Sequence, residues 1–265
     1  MVVLTARDEK KGIEAVEKLK GSGLSDHVVF HQLDVGDPAT IVNLADFIKT
    51  QFGKLDILVN NAGINGVILD GDAMTRAAVN GWPQTNWDEI TTETSELAED
   101  CLKTNYYGAK GMIEALVPLL HLSDSARIVN VSSSLGKLEN IPSGWAKGVF
   151  SDVENLTEAR VDEVLNEFLK DFKEGLLETK GWPCYLSAYT ISKAAMNAYT
   201  RILAKKYTAF YINCICPGFV RTDITANTGQ FTAEEGAESV VRLALMPTGG
   251  PSGLFFYRKE VSTFG

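Results

Sequence analysis

The chain has 265 residues, of which 45% are hydrophobic and 22% are charged, and its net charge at pH 7 is −9. This length and balance suit a protein with a sizeable folded core and exclude an intrinsically disordered chain. The negative charge argues against a nucleic-acid partner, because proteins that bind phosphate backbones carry a basic face. No apolar run reaches the roughly 18 residues of a membrane-spanning helix, so we predict no membrane association.

Short apolar runs alternate with helical segments along the whole chain. The predicted strands cover residues 2–5, 28–33, 55–59, 127–131, 210–215 and 253–256. The predicted helices cover residues 9–20, 38–52, 94–120, 189–206 and 232–245. This alternation indicates an α/β fold with a doubly wound, Rossmann-like parallel sheet and helices on both faces. We predict one domain over residues 1–265.

The cysteines and histidines show no metal-binding pattern. The four cysteines are Cys101, Cys184, Cys214 and Cys216, and none of the three histidines clusters with a second type of ligand. We therefore predict no metal site. The opening segment is too short for a signal peptide, and free thiols in a chain without an export signal predict a cytoplasmic location.

Small or polar residues follow several of the predicted strands. They are Arg7, Asp34, Asn60 to Gly63, Ser132 to Ser134, and Pro217-Gly218. Parallel α/β sheets bind their ligands at the carboxyl ends of the strands. The sequence therefore predicts a ligand site at this edge of the sheet.

Tyr189 and Lys193 lie four residues apart on a predicted helix, so their side chains share one face. An ammonium beside a phenol favours the ionised phenol and lowers its pKa. Tyr106 and Lys110 have the same spacing, but no strand ending in hydroxyl residues precedes them. We interpret that second pair as an ordinary pair on a helix surface.

These features together resemble the short-chain dehydrogenase/reductase family. The matching motifs, in order, are Asn60-Asn61-Ala62-Gly63, Asn105, Ser133, Tyr189 with Lys193, and Pro217-Gly218. The segments Leu4 to Asp8, Asn166 to Lys173 and Thr232 to Ala237 further resemble a plant branch that contains salutaridine reductase, menthone reductases and isopiperitenone reductase. That branch reduces ketones of alkaloids and terpenoids with NADPH.

The resemblance implies a role for each catalytic residue. Tyr189 would donate a proton to the carbonyl oxygen, and Lys193 would lower the pKa of that tyrosine and hydrogen-bond the nicotinamide ribose. Ser133 would fix the carbonyl, and Asn105 would hold a water that relays protons to Lys193. Ser132 and Ser134 are interpreted as supporting hydroxyls or strand-end caps, and a shift of one position stays open.

The end of the first predicted strand bears on cofactor choice. Arg7, with Lys11 one helical turn later, offers cations to a 2′-phosphate, which favours NADPH. The alternative is that both are solvated surface charges. By resemblance, the further cofactor-binding positions are Asp34, Val35, Asn60, Ala62, Gly63, Tyr189, Lys193, Pro217, Gly218 and Thr222.

The sequence departs from the family pattern at its start. The family's first strand, glycine-rich loop and first helix are absent, and Gly21-Ser22-Gly23 follows a predicted helix rather than a strand. Two interpretations stay open. The sequence is truncated and starts at an internal Met1, or the chain has lost cofactor binding.

A helical insertion is predicted at about 137–184, because Ser133 and Tyr189 are 56 positions apart, farther than in most members of the family. Its main helix would start at Thr157-Glu158. Its apolar positions are Val161, Val164, Leu165, Phe168, Leu169, Phe172 and Leu176. This helix would pack against the domain or form a lid or entrance wall, and the resemblance implies a monomer.

Aromatic residues near the predicted site suit a rigid ring ketone. They are Trp82, Trp87, Trp145, Trp182 and Tyr185, and the alternative for each one singly is a place in the core. The favoured function is therefore NADPH-dependent reduction of a small-molecule ketone to a secondary alcohol in specialised metabolism. The alternative is a cofactor-deficient, non-catalytic remnant that acts as a binding partner.

Overall fold

A computed structural model describes residues 1–80, 90–142 and 144–265. These residues form two compact units. The first comprises Met1–Asp56 and Tyr107–Asp124, and the second comprises Ile57–Tyr106 and Ser125–Gly265. The predicted pocket residues Trp82 and Trp87 lie outside the described residues.

The strands of the described residues, in chain order, are β1 (Val2–Ala6), β2 (Val28–Gln32), β3 (Ile57–Asn60), β4 (Ile68–Leu69), β5 (Thr91–Thr92), β6 (Arg127–Val131), β7 (Tyr211–Cys216), β8 (Phe255–Tyr257) and β9 (Glu260–Ser262). The helices are α1 (Glu9–Leu19), α2 (Pro38–Phe52), α3 (Gly71–Asn80), α4 (Ser95–Leu102), α5 (Ala109–Leu120), α6 (Gly144–Ser151), α7 (Glu158–Lys173), α8 (Leu177–Lys180), α9 (Ser187–Lys206) and α10 (Ala233–Ala244). A π-helical turn, Lys103–Gly108, joins α4 to α5.

Every predicted strand and helix is present, with bounds shifted by a few residues. The helix predicted over residues 94–120 was wrong in one respect, because the π-helical turn interrupts it. The sequence did not predict β4, β5, α3 or the antiparallel strand β9. Strands of two or three residues are too short to show a periodic pattern of apolar positions.

In the first unit, β1 and β2 pair in parallel, with Val2 opposite Val28. Helix α1 connects them and approaches β2 closely at Gly12, where an added Cβ would lie 2.0 Å from the ring of Phe30. Helix α2 packs on α5. It begins with Pro38 at its first position, as predicted. The preceding residue, Asp37, caps the helix, because its carboxylate accepts from the amide of Ala39 at 3.0 Å.

In the second unit, a five-stranded sheet has the order β3-β6-β7-β8-β9, and all its pairs are parallel except β8 with β9. Val129 and Val131 of β6 pack in one apolar cluster with Leu243 of α10. Asn130, between them, points to the opposite face and donates to Thr200 of α9 at 3.0 Å. Helices therefore cover both faces of this sheet, which confirms the predicted Rossmann-like fold.

The predicted insertion contains α6, α7 and α8. The hydroxyl of Thr157 caps α7 by accepting from the amide of Arg160 at 3.3 Å. The apolar face of α7, which includes Val161 and Phe168, is buried, and the helix packs against α4 and α9. The helix therefore packs against the domain, and its role as a lid or entrance wall stays a prediction. No helix within the described parts of the chain is long and apolar enough to cross a bilayer.

Candidate active site

The candidate site forms in the second unit, where α9 packs beside the carboxyl ends of β6 and β7. Tyr189 lies in the first turn of α9, and Lys193 lies one turn later. Most residues of this helix up to Thr200 are buried, so the helix carries its polar side chains into the protein interior rather than into solvent. The side chain of Lys193 is only 3% exposed.

The Lys193 amine is held by the backbone at the end of β6. Its Nζ donates to the carbonyl of Val131 at 2.9 Å and lies 5.7 Å from the centroid of the Tyr189 ring. Burial disfavours the charged form and lowers the pKa of this amine to about 8. The site therefore contains an amine that titrates close to neutral pH.

The Tyr189 phenol has a pKa that is raised overall. Burial raises it above the ordinary value of 10, and a hydrogen bond with Ser133 opposes that rise. The lowering effect of Lys193 on this pKa stays a prediction. The amine directs its hydrogen bond to Val131 rather than to the phenol oxygen, and the loss of solvation is the largest effect on the phenol.

The three serines after β6 have different partners. The Ser133 hydroxyl forms a hydrogen bond with the Tyr189 side chain and also accepts from the amide of Leu135 at 3.2 Å. Ser132 is buried and donates to the side chain of Asn197 at 2.6 Å. Ser134 donates to the sulfur of Cys216 at 3.2 Å. The middle hydroxyl is therefore the one that meets the phenol, and its two neighbours support the surrounding backbone and helix.

Asn105 lies in the π-helical turn and is fully buried. Its Oδ1 accepts from the amide of Ile64 at 2.8 Å, while its Nδ2 donates to the carbonyl of Ile64 at 2.9 Å and to Ser192 Oγ at 3.0 Å. Ser192 in turn donates to the Tyr189 carbonyl at 2.7 Å. Asn105 thus ties the turn after β3 to the helix that carries Tyr189. A proton relay through water at Asn105 stays a prediction.

The remaining predicted positions in this unit surround the same strand ends. Asn60 is buried, and its side-chain amide donates to the side chain of Asn130 at 2.9 Å. This hydrogen bond links β3 to β6. Ala62 is exposed, and Gly63 lies beside the site: an added Cβ there would come 3.2 Å from Asn105 Oδ1 and 3.4 Å from Lys193 Nζ.

Two further positions follow β7. Pro217 precedes Gly218, which has a φ of +91°, and an added Cβ at Gly218 would lie 2.8 Å from the ring of Phe231. This combination of conformation and contact requires glycine. Thr222 begins the short turn Asp223–Thr225, with its backbone amide bonded to Thr225 Oγ1 at 3.2 Å.

The four predicted cofactor residues of the first unit follow its two strands. Arg7 comes directly after β1, Lys11 lies in the first turn of α1, and both are exposed. Asp34 accepts from the amide of Gly36 at 2.9 Å, which shapes the loop after β2. Val35 lies in that loop, against Gly108.

Glu93 is a residue of this region that sequence reasoning missed. Its two carboxylate oxygens accept from the backbone amide of Ser187 at 3.0 and 3.2 Å, and its Oε2 also bonds the Ser187 hydroxyl. Ser187 is the first residue of α9, two positions before Tyr189. No local pattern predicted this contact, because 94 positions separate the two residues.

The predicted surface position of Tyr106 was wrong, and for Trp182 the core alternative holds. Tyr106 is not on a helix surface: it is 1% exposed and packs edge-on against Tyr199 with ring centroids 5.8 Å apart. Trp182 does not line a pocket, because its ring is buried against Phe168 and its Nε1 donates to Asp171 at 2.8 Å. In both cases an aromatic residue that looked available for the surface or the site fills the core instead.

Comparisons with known proteins agree with this architecture. Residues 1–144 match the family model described as short chain dehydrogenase, and residues 176–247 match the model described as Enoyl-(Acyl carrier protein) reductase. The chain is 59% identical to (+)-neomenthol dehydrogenase of Arabidopsis thaliana over 99% of this chain and 89% of that protein.

Two solved structures are also similar. Salutaridine reductase from Papaver somniferum matches with a TM-score of 0.92 and 55% identity, over 97% of this chain and 90% of that one. Menthone neomenthol reductase from Mentha piperita matches with a TM-score of 0.85 and 50% identity, over 98% of this chain and 90% of that one.

Proposed function

The chain belongs to the short-chain dehydrogenase/reductase family of oxidoreductases, and from that membership we propose that it reduces a ketone to a secondary alcohol with NADPH in specialised metabolism. The observation that carries the proposal is that Tyr189 and Ser133, both partly buried, meet beside the buried Lys193 at the ends of β6 and β7. Such a group of O–H and N–H donors suits a reaction in which negative charge develops on a carbonyl oxygen.

The cofactor, when bound, supplies the hydride that adds to the carbonyl carbon. Tyr189 then donates its phenolic proton to the carbonyl oxygen, and Ser133 holds that oxygen with a second hydrogen bond. Burial keeps the pKa of the phenol above its ordinary value, so at neutral pH the proton to be donated is present. The ammonium of Lys193, close to the same ring, adds positive charge at the site.

Within the second unit, the residues fit the nicotinamide end of a dinucleotide. Gly63 leaves the space beside Asn105 and Lys193 free of a side chain, since a methyl group there would crowd both. Lys193 would bind the nicotinamide ribose. In the first unit, taken by itself, Arg7 and Lys11 are exposed and offer cations to a 2′-phosphate, which favours NADPH.

The similarity to (+)-neomenthol dehydrogenase and salutaridine reductase supports a small-molecule substrate of the terpenoid or alkaloid class. Helix α7 buries its apolar face against α4 and α9 of the same chain, which supports a monomer. The cytoplasmic location stays a prediction from the cysteines.

The test of this proposal is Tyr189→Phe, assayed with NADPH and with menthone and salutaridine as candidate ketones. We expect turnover to fall by about 100- to 10,000-fold, the usual contribution of a general acid, while fluorescence titration shows nearly unchanged affinity for NADPH. Tyr207→Phe is the matched control, because Tyr207 caps the opposite end of the same helix. Unchanged turnover in Tyr189→Phe would remove the phenol from the mechanism. If the unaltered chain does not bind NADPH, the non-catalytic alternative gains support.

A further inference from the structure

The start of α9 is capped by a residue from a distant part of the chain. The first amides of a helix have no partners within the helix, and a side chain at the residue before it usually supplies one. Here that residue is Leu186, which has no polar side-chain atom and adopts a left-handed φ of 45°. The carboxylate of Glu93 takes over the capping role by accepting from both the amide and the hydroxyl of Ser187.

The backbone on each side of Glu93 is held in place. Immediately before it, β5 pairs with β4, with Thr92 opposite Ile68. Immediately after it, Thr94 caps α4 by accepting from the amide of Leu97 at 3.3 Å. A carboxylate presented between two fixed elements is a rigid support rather than a loosely attached side chain.

The contact lies next to the reacting group. Tyr189 is the third residue of α9, and Ser187 is the first. A second set of contacts holds the same turn. Asn105 donates to the Ser192 hydroxyl, and that hydroxyl donates to the carbonyl of Tyr189. Glu93 and Asn105 therefore hold the first turn of α9 from two sides. The negative charge of Glu93 also lies at the positive end of the helix dipole, which favours the helix.

We propose that Glu93 is a positioning residue for Tyr189: by holding Ser187 it fixes the phenol against Ser133 in the geometry that proton donation requires. This proposal rests on the proposed reductase function. The carboxylate of Glu93 binds Ser187, two positions before Tyr189, so its effect on the phenol is geometric. A displacement of about 1 Å is enough to lower turnover by about 100-fold.

Glu93→Gln tests the proposal because it keeps the size of the side chain while replacing one accepting oxygen by a donor. Glu96→Gln is the matched control, since Glu96 is an exposed carboxylate three positions later, in the first turn of α4. The first measurement needs no cofactor: hydrogen–deuterium exchange of the amides from 187 to 190. We expect exchange about 10-fold faster in Glu93→Gln, the usual effect of losing a helix cap, and unchanged exchange in Glu96→Gln.

The second measurement separates turnover from binding, with menthone as the ketone. We expect kcat of Glu93→Gln to fall by about 10- to 100-fold, with NADPH affinity and the KM for menthone close to those of the unaltered chain. Unchanged exchange would overturn the proposal, and so would faster exchange with an unchanged kcat. A parallel rise of KM and loss of NADPH affinity would indicate a general structural defect and would also overturn it.

Ser187→Ala covers the case in which Glu93→Gln does not fold. It removes only the hydroxyl bond to Glu93 and keeps the backbone amide bond, so we expect a smaller change in the same direction, and no change would overturn the proposal. If the unaltered chain reduces no ketone, the proposed reductase function fails. Exchange, together with a crystal structure of Glu93→Gln that compares the Tyr189 position, still decides whether Glu93 holds the phenol in place.

Discussion

Lys193 is a buried amine, so its charge costs folding free energy. Its side chain is 3% exposed, and its pKa in the folded protein is about 8, compared with 10.5 for an exposed lysine. Lys193→Met removes the titrating group and keeps a side chain of similar length in the same space. The substitution therefore changes how the free energy of unfolding depends on pH.

The sign follows from the two pKa values. The unfolded chain binds the Lys193 proton more tightly than the folded protein does. The free-energy cost of burying the charged amine is therefore complete below pH 8, and it declines as the pH rises from 8 toward 10.5. Its size at pH 7 is roughly 3 kcal/mol, most of which is relieved by pH 10. Burial raises the pKa of Cys101 and Cys214 to about 12, and these thiols destabilise the folded protein above pH 9. Cys214 is present in either protein, so its effect cancels in the comparison. Cys101 also interacts with the charge of Lys193, but the loss of solvation is the larger effect on the pKa of both groups.

Urea unfolding followed by tryptophan fluorescence at pH 7 and pH 10 measures the effect. At each pH, the free energy of unfolding of the unaltered protein is subtracted from that of Lys193→Met. This difference should be larger at pH 7 than at pH 10 by roughly 2 to 3 kcal/mol. Lys205→Met is the control, because Lys205 is an exposed lysine on the same helix. A stability difference that is equal at the two pH values would show that the Lys193 charge is not desolvated, and the reasoning would be wrong.

Two further changes test a helix cap and a close packing contact, both by urea unfolding at pH 7. Thr157→Ala removes the cap of α7 and should lower the free energy of unfolding by about 1 kcal/mol, whereas Thr157→Ser should lose much less; equal losses would contradict a capping role. Gly136→Ala places a Cβ 2.6 Å from the carbonyl carbon of Lys193 and should cost about 1 to 3 kcal/mol. Gly148→Ala, in open space, is its control, and a similar cost at both positions would refute the packing argument.

The order of the main strands and helices could be predicted from the sequence for a physical reason. Parallel strands buried on both faces must be apolar along their length, and this pattern identified strands such as β6 and β7. The carboxyl ends of such strands meet at one edge of a sheet, and a helix that leads into a parallel strand begins at that same edge. This explains why Ser133 after β6 and Tyr189 at the start of α9 come together although they are distant in sequence. The π-helical turn at Asn105 was not predictable, because one extra residue in a turn hardly changes the spacing of apolar positions.

The polar contacts of the site were harder to predict. Spacing four residues apart puts Tyr189 and Lys193 on one face of α9, but it does not determine where each polar atom points. Lys193 reaches the carbonyl of Val131, an acceptor that only the folded arrangement of β6 provides. The bond from Ser187 to Glu93 likewise depends on the two-residue strand β5, which has no signal of its own in the sequence.

The net pKa shift of Tyr189 bears on its protonation state. A net lowering would have provided a phenolate, the base that alcohol oxidation needs. Burial instead raises the pKa and keeps the phenol protonated at neutral pH, which is the form that ketone reduction needs. An alkoxide is a stronger base than a phenolate, so the developing oxyanion takes the proton readily even from a desolvated phenol, while Ser133 stabilises the phenolate that is left. Desolvation makes Tyr189 a weaker acid than an exposed phenol, but it keeps the residue in the protonated form that the proposed reduction uses.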